Sequence, residues 1–246
     1  MTELEQIFKS HNGNVIHKWH HYFGIYDRHL AKFKDKNPVI IEIGIYKGGS
    51  LEMWNKYFGN KARIIGVDIN PLCKQFEKDN IKVYIGSQED RDFLRKLRSE
   101  IGQADIIIDD GGHTMKQLQT SFEELFDMVK EGGIYLAEDL HTCYWYNYDG
   151  GLKRASNFIE YAKNLVDSMH EWYYKSKNVG DFAKSLYGIH FYDSIVVFEK
   201  EKIEKPFNLY AGEIDKEEVV SVAPSKKNYW QYFKFLLHRF TKINIP

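Results

Sequence analysis

Five short apolar runs, each followed by a stretch with helical character, constrain this chain more than any other feature. They are Val39–Ile43, 63–68, 81–85, Ile106–Ile108 and Gly133–Ala137. Runs this short and this continuously apolar suit strands buried on both faces of a parallel sheet. Helices are predicted after the first four, over 49–58, near 72–78, over 90–99 and over 114–129. Strands alternating with helices at this rhythm mean a parallel sheet covered on both sides. Upstream, Ile16, Trp19, Tyr22, Phe23, Tyr26 and Leu30 recur at helical spacing and predict a helix over 15–34. Asp35-Lys36-Asn37-Pro38 ends it, because a proline disfavours helical geometry in the residue before it. Beyond a helix over 154–174, the runs Gly188–Tyr192 and Ser194–Glu199 read as a hairpin that adds an antiparallel strand. The expected fold is α/β: a doubly wound, mostly parallel seven-stranded sheet with helices on both faces. Such sheets bind ligands at the carboxyl ends of their strands, near the switch in strand order. Function is therefore sought at 42–50, 68–70, 86–90, 109–113 and 138–145.

The core falls at 38–200, with an N-terminal helical segment at 1–37 and an extension at 201–246. In the extension, Tyr229, Trp230, Phe233, Leu236, Leu237 and Phe240 predict an amphipathic helix. Docking on its own domain or on another subunit is the expected fate of its apolar face, and a homo-oligomer is compatible with it. A net charge of -1 argues against a protein held on nucleic acid by bulk charge. No apolar run approaches the ~20 residues that span a bilayer. No signal-peptide pattern opens the chain, and two cysteines suit a reducing cytoplasm.

The first run leads into Glu42-Ile43-Gly44-Ile45-Tyr46-Lys47-Gly48-Gly49-Ser50. Gly44 and Gly48 allow a sharp turn and close approach to a ligand, and Ser50 opens a helix whose free N–H groups favour an anion. Asp68 closes the second strand about 24 residues after Gly44, where an acid can hold a ribose diol. A dinucleotide site would need G-x-G-x-x-G; here the spacing is Gly-x-x-x-Gly-Gly. At the opposite end of the site, Asp109-Asp110-Gly111-Gly112-His113 and Glu138-Asp139-Leu140-His141 end the fourth and fifth strands. If those strands are neighbours, their ends lie ~5 Å apart and four carboxylates crowd one lip. Crowding of that kind calls for protons or a cation. Mg²⁺ suits such oxygen donors and keeps waters that substrate oxygens can replace. Adjacent strand residues point oppositely, so Asp109 and Asp110 are expected to divide between the donor and the metal. His113 stands beside the acids and can take a hydroxyl proton near neutral pH.

The segment Glu42–Ser50, led by an acid, resembles the first motif of class I S-adenosylmethionine-dependent methyltransferases. Its E-x-G-x-Y-x-G-x-S form resembles catechol O-methyltransferase relatives. From about Lys18 to Glu199 the chain resembles the bacterial family of macrolide-sugar O-methyltransferases, to which the mycinamicin methyltransferase belongs, within a wider group containing a cephalosporin-pathway enzyme. The matching stretches are Glu42–Ser50, Met53-Trp54, Tyr57-Phe58, Gly66-Val67-Asp68, Asp109–His113, and Glu138-Asp139 through Tyr144-Trp145. The resemblance implies a Rossmann-like methyltransferase fold and a Mg²⁺-dependent O-methyltransferase acting on a small hydroxylated molecule, a sugar or glycan unit. It implies His113 as the base, and Asp110, Glu138 and Asp139 as Mg²⁺ ligands. Glu42, Gly44, Tyr46, Gly48, Ser50, Asp68, Ser87, Gln88 and Asp109 are expected at the methyl donor. Ser87 departs from the family, which often has Asp before Gln88.

Two rival functions use the same residues. A non-haem iron oxygenase would take His113, His141 and a carboxylate as ligands, leaving the donor motif idle. A non-catalytic donor-binding module would leave the acids and His113 idle. Lys18, His21 and Tyr22 are placed to form a lid, and Tyr144, Trp145, Tyr146 and Tyr148 to wall an acceptor pocket. His11, His17, His20, His21 and His29 lie within the first 29 residues. No second group of ligands accompanies them in sequence, so they read as a solvated helix face.

Overall fold

In the computed structural model, which describes residues 1–174 and 178–212, the expected alternation is realised, except that a 3-10 turn at Pro71–Phe76 stands where a short helix is expected near 72–78. The elements in order are α1 (Glu3–Lys9), α2 (Tyr22–Leu30), β1 (Val39–Ile43), α3 (Gly49–Tyr57), β2 (Arg63–Asp68) and β3 (Ile81–Ile85). They continue with α4 (Arg91–Ile101), β4 (Ala104–Asp109), α5 (Met115–Leu125), β5 (Val129–Ala137) and α6 (Phe158–Met169). The last are α7 (Glu171–Tyr174), α8 (Asp181–Ser185), β6 (Leu186–Tyr192) and β7 (Ile195–Lys200). Residues Met1–Pro206 form one compact unit. The amphipathic helix predicted within 225–246 lies outside the described residues.

The sheet order is β3-β2-β1-β4-β5-β7-β6. β1 to β5 are parallel, and β7 runs antiparallel between β5 and β6. The chain turns from β6 into β7 at Ser194, which takes a left-handed φ of 65°. The switch in order falls between β1 and β4, where Ile43 pairs with Val67 on one side and with Asp109 on the other. Asp109 in turn pairs with Ala137, so the ends of β1, β2, β4 and β5 form one lip.

Strand parity sorts the core into two layers. Ile40, Ile64, Ile106, Ile108, Ile134 and Leu136 face α1–α3, where Tyr22, Tyr26 and Trp54 pack. Ile41, Ile65, Ile107, Tyr135 and Phe198 face Leu94, Leu118, Phe122 and Phe158 of α4–α6. Parity then places Glu42 with Ile40 on the first face, and Asp109 with Ile107 on the second.

The N-terminal region departs from the helix expected over 15–34. Only Tyr22–Leu30 is α-helical, with a 3-10 turn at Ala31–Phe33. Residues 15–19 carry no helix because tertiary ties hold them: the Asn14 N–H donates to Glu52, and the Lys18 ammonium reaches into the lip. The carbonyls of Asn14 and Val15 lie against Gly49, where a Cβ would meet them at 2.3 and 2.5 Å. Helix α1, not expected from the sequence, is capped by Thr2, whose hydroxyl accepts from the Glu5 N–H. Among the described residues no helix is long and apolar enough to cross a membrane.

Candidate active site

β1 ends in a turn with three left-handed residues, Gly44 (φ 83°), Tyr46 (φ 46°) and Gly48 (φ 75°). At Gly44 the need for glycine is steric as well, since a Cβ would lie 2.0 Å from the Asp110 carbonyl oxygen. That contact closes β1 onto the end of β4. Asp68 anchors the turn: its Oδ2 accepts from the N–H groups of Ile45 (3.0 Å) and Tyr46 (3.2 Å). Tyr46 therefore contributes backbone, and its side chain is exposed. Behind the turn, the Ser50 hydroxyl donates to Glu42 Oε2 at 2.7 Å. Both residues are buried, Glu42 completely and outside the cavity wall, so it reaches the donor side through Ser50; burial raises its pKa. Gly48 packs against the Phe76 ring. Beyond β3, Ser87 and Gln88 border the same cavity, and Gln88 Oε1 accepts from the Gly112 N–H at 2.8 Å.

Asp109 is a correction to the donor-site expectation. It is fully buried and absent from the cavity wall, because its side chain lies on the α4–α6 face of the sheet. There it accepts from Gln88 Nε2 (3.0 Å), the Ser121 hydroxyl (2.5 Å) and the Tyr135 hydroxyl (2.6 Å). Its contribution to the site is indirect: it fixes the Gln88 amide. Ser121 was the available sequence signal, a polar residue on the otherwise apolar face of α5 with Leu118, Phe122 and Leu125.

The other acids gather on the α1–α3 side of the lip around one lysine. Lys18 Nζ lies 2.6 Å from Asp110 Oδ2, 2.9 Å from Glu138 Oε2 and 3.7 Å from Glu42 Oε1. Burial alone would lower the Lys18 pKa, but Asp110 and Glu138 outweigh it and hold the ammonium well above its usual range. Burial also raises Asp110, and pushes Glu138 up to about 8. The chain turns between Glu138 and Asp139, as a shared site requires, because Asp139 adopts a left-handed φ of 53°. Asp139 Oδ1 accepts from the Tyr22 hydroxyl at 2.6 Å, and Oδ2 lies 3.7 Å from His113 Nε2. His113 Nε2 is also 3.7 Å from Asp110 Oδ1.

Asp110, His113 and Asp139 thus converge, with potential ligand atoms all within 4.8 Å of one another. Glu138 is not in that trio; it sits behind it, fully buried and held by Lys18. Among the described residues Glu42 Oε1, Glu138 Oε1 and His113 Nδ1 are buried without a well-aligned hydrogen bond, as are the Trp54 indole N–H and the Tyr26 hydroxyl, the donors that face Glu42 and Glu138. Four carboxylates against a single lysine fit a site that takes a further cation. Sequence alone placed Lys18 only in a lid. Nothing local marks it as the counter-ion, since its partners lie on β1 and at the ends of β4 and β5.

His141 turns away from the acids: its Nδ1 bonds Ser194 Oγ at 2.5 Å, and its ring meets Trp19 and Trp145 edge-on. Among the described residues one imidazole, not the two of the oxygenase reading, is brought to the carboxylates. Half-exposed Trp19, Tyr144 and Trp145 give this end an aromatic character, and Trp19 was not anticipated. A cavity of about 740 Å³ runs from Gly44, Asp68 and Ser87 to Asp110, His113 and Asp139, with Lys18, Trp19 and Tyr22 along its side.

The strand order, the glycine turn at its switch point and the acidic lip define a Rossmann-like methyltransferase fold. The chain is 36% identical over 211 residues to the 8-demethyl-8-(2-methoxy-alpha-L-rhamnosyl)-tetracenomycin-C 3'-O-methyltransferase of Streptomyces olivaceus, covering 80% of this chain and 54% of that protein. It is 31% identical over 188 residues to the mycinamicin VI 2''-O-methyltransferase of Micromonospora griseorubida, covering 71% and 47%. The solved structure of the MycE methyltransferase of mycinamycin biosynthesis, in complex with Mg, SAH and mycinamycin VI, superposes with a TM-score of 0.71 at 29% identity, covering 81% of this chain and 53% of that one. No family model matches the chain. Its homologues at 31–36% identity are thus sugar O-methyltransferases, and the chain spans about half the length of these curated relatives.

Proposed function

We propose that the chain transfers a methyl group from S-adenosylmethionine to a hydroxyl of a sugar unit on a small glycosylated acceptor, with a divalent cation such as Mg²⁺. The observation that carries this reading is the single cavity joining the Gly44–Ser50 turn and Asp68 to Asp110, His113 and Asp139. Donor and acceptor ends share one chamber, the arrangement that in-line transfer requires. The names of the relatives, and the Mg and SAH of the MycE complex, support the same assignment. The protein is read as a cytoplasmic enzyme working on a small molecule and not on nucleic acid.

In this reading Asp68 takes the donor's ribose hydroxyls, for which a carboxylate keeps spare acceptor capacity beside its three bonds from the N–H groups of Ile45, Tyr46 and Asn70. Glu42, Ser50 and Lys18 govern charge at the methionine end. Ser87 and Gln88 border the adenine. Asp110, Glu138 and Asp139 are the oxygen donors that would hold the cation, Glu138 in exchange for its bond to Lys18. The chemistry such an ion supplies when bound is to orient the acceptor hydroxyl and lower its pKa. His113, with Nε2 towards both aspartates, receives the hydroxyl proton as the oxygen attacks. Trp19, Tyr144 and Trp145 offer apolar faces to a sugar ring, and the 15–22 segment acts as a lid.

The test is methyl transfer from labelled S-adenosylmethionine to glycosylated polyketide acceptors, with and without EDTA. Transfer should stop in EDTA and return with Mg²⁺. His113→Ala should cost about 10²–10⁴-fold in kcat and leave donor affinity intact. EDTA-insensitive transfer would remove the metal, and donor binding without transfer to any such acceptor would leave a binding module.

A further inference from the structure

One of the five N-terminal histidines, His29, acquires a second group of ligands in three dimensions. His29, at the buried face of α2, meets His190 of β6 and Glu199 of β7, and potential ligand atoms of the three lie within 4.8 Å of one another. His29 Nδ1 is 3.7 Å from Glu199 Oε1, His190 Nε2 is 3.0 Å from Glu199 Oε2, and the imidazole centroids are 4.9 Å apart. None of these residues borders the proposed active site.

We propose that His29, His190 and Glu199 form a second metal site, selective for a borderline divalent transition ion such as Zn²⁺, that clamps α2 to the β6–β7 hairpin. The donor set supports the choice. Two imidazoles and one carboxylate suit Zn²⁺, whereas Mg²⁺ prefers oxygen alone. The nitrogens are suitably prepared. His29 Nε2 is paired with the Tyr192 hydroxyl at 2.8 Å, which fixes the ring and, in the tautomer with Nε2–H donating, leaves the Nδ1 lone pair towards Glu199. Among the described residues the buried His190 Nε2 has Glu199 Oε2, at 3.0 Å, as its polar neighbour, without a well-aligned hydrogen bond.

Space is also present. A Cβ at Gly188 would lie 3.3 Å from both Glu199 Oε2 and His190 Nε2, so glycine there keeps the approach to two ligands open. The His190 side chain is 40% exposed, so the trio lies close to the surface although Nε2 itself is buried. The resident cation to be displaced is Lys32, whose Nζ is 3.9 Å from Glu199 Oε1 and whose side chain is 42% exposed. Closing the clamp would tie α2, which carries Tyr22, to the antiparallel edge of the sheet.

The site is tested on the full chain, stripped with EDTA, dialysed and held in excess Mg²⁺ so that the acidic site is supplied with its preferred ion. Zn²⁺ titration by calorimetry, with Co²⁺ absorption as a geometric probe, should give one equivalent bound and a rise in melting temperature. His190→Ala and Glu199→Gln alter partly exposed side chains, and circular dichroism checks that both variants fold. Each should weaken Zn²⁺ binding by at least about tenfold, while Asp139→Asn should leave it unchanged. Equal affinity in wild type, His190→Ala and Glu199→Gln would overturn the proposal. So would loss of Zn²⁺ binding in Asp139→Asn, which would assign the ion to the acidic lip.

Discussion

Lys18 and Asp110, 92 positions apart in the chain, form a buried ion pair of 2.6 Å, with only 3% of the lysine side chain exposed. The same ammonium serves Glu138 and Glu42. Lys18→Met keeps most of the stem and removes the charge. Uncompensated buried carboxylates should then cost about 3–5 kcal/mol, on the order of 10 °C in melting temperature, in EDTA. Mg²⁺ should recover more of that loss in the variant than it adds to the wild type. A variant that melts like the wild type in EDTA would show that Lys18 is not the counter-ion.

Asp109 and Asp110 are neighbours whose substitutions should fail differently. Asp109→Asn disturbs a carboxylate with three buried donors and should cost about 1–3 kcal/mol of stability, with divalent-ion affinity preserved. Asp110→Asn should weaken divalent binding strongly while costing less stability, because Lys18 keeps Glu138 and Glu42 as counter-charges and the remaining acids lose a like-charged neighbour. Urea denaturation and Mg²⁺ titration on both variants measure this, and the opposite pattern would return Asp109 to the site.

Gly44 and Gly59 both have positive φ, 83° and 66°, but only Gly44 has backbone in the way. Gly59→Ala should cost about 1–2 kcal/mol, the left-handed penalty of an L-residue. Gly44→Ala must also push Asp110 away, so it should lose more than about 3 kcal/mol and much of its donor affinity. Comparable melting curves for the two variants would mean that the β1–β4 contact is not what demands glycine.

Glu124 ties α5 to α4: its carboxylate accepts from Arg91 (2.7 Å) and twice from Arg95 (both 3.0 Å). Burial alone would raise its pKa, but the bonds to the two arginines prevail and hold it below its ordinary 4.5. A carboxyl whose folded value is depressed adds stability above the unfolded value, lost as pH falls through the folded one. The stability gap between wild type and Glu124→Gln should therefore be widest near neutrality and close progressively below about pH 4.5. Denaturation at pH 7, 5, 4 and 3 measures it, and a gap independent of pH would rule out the carboxylate's charge as its source.

Much of this was legible because it is local. The runs at β1 to β4 are rich in isoleucine, valine or both, and parallel strands of that composition bury on both faces. Gly44 and Gly48 announced a turn that other residues enter at a steric cost. The adjacency of β4 and β5 followed from the expected topology, and with it the crowding at Asp110, Glu138 and Asp139. The N-terminal helix was overextended because Ile16 and Trp19 keep helical spacing, while Asn14 and Lys18 are committed to Glu52 and the acidic lip. Parity showed that Asp109 and Asp110 must part, but which one faces the cavity depends on where the α1–α3 layer packs.

The glycine-rich turn, the acid that closes β2 and the two acidic strand ends were thus determined by the sequence itself, since each rests on preferences acting over a few residues. Tertiary structure decided which charges meet. Lys18 at the lip, Asp109 beneath Gln88, and His29 against His190 and Glu199 are contacts between distant segments. The physical reason is that a buried charge or imidazole must find its partner wherever packing delivers one, and no spacing along the chain records that.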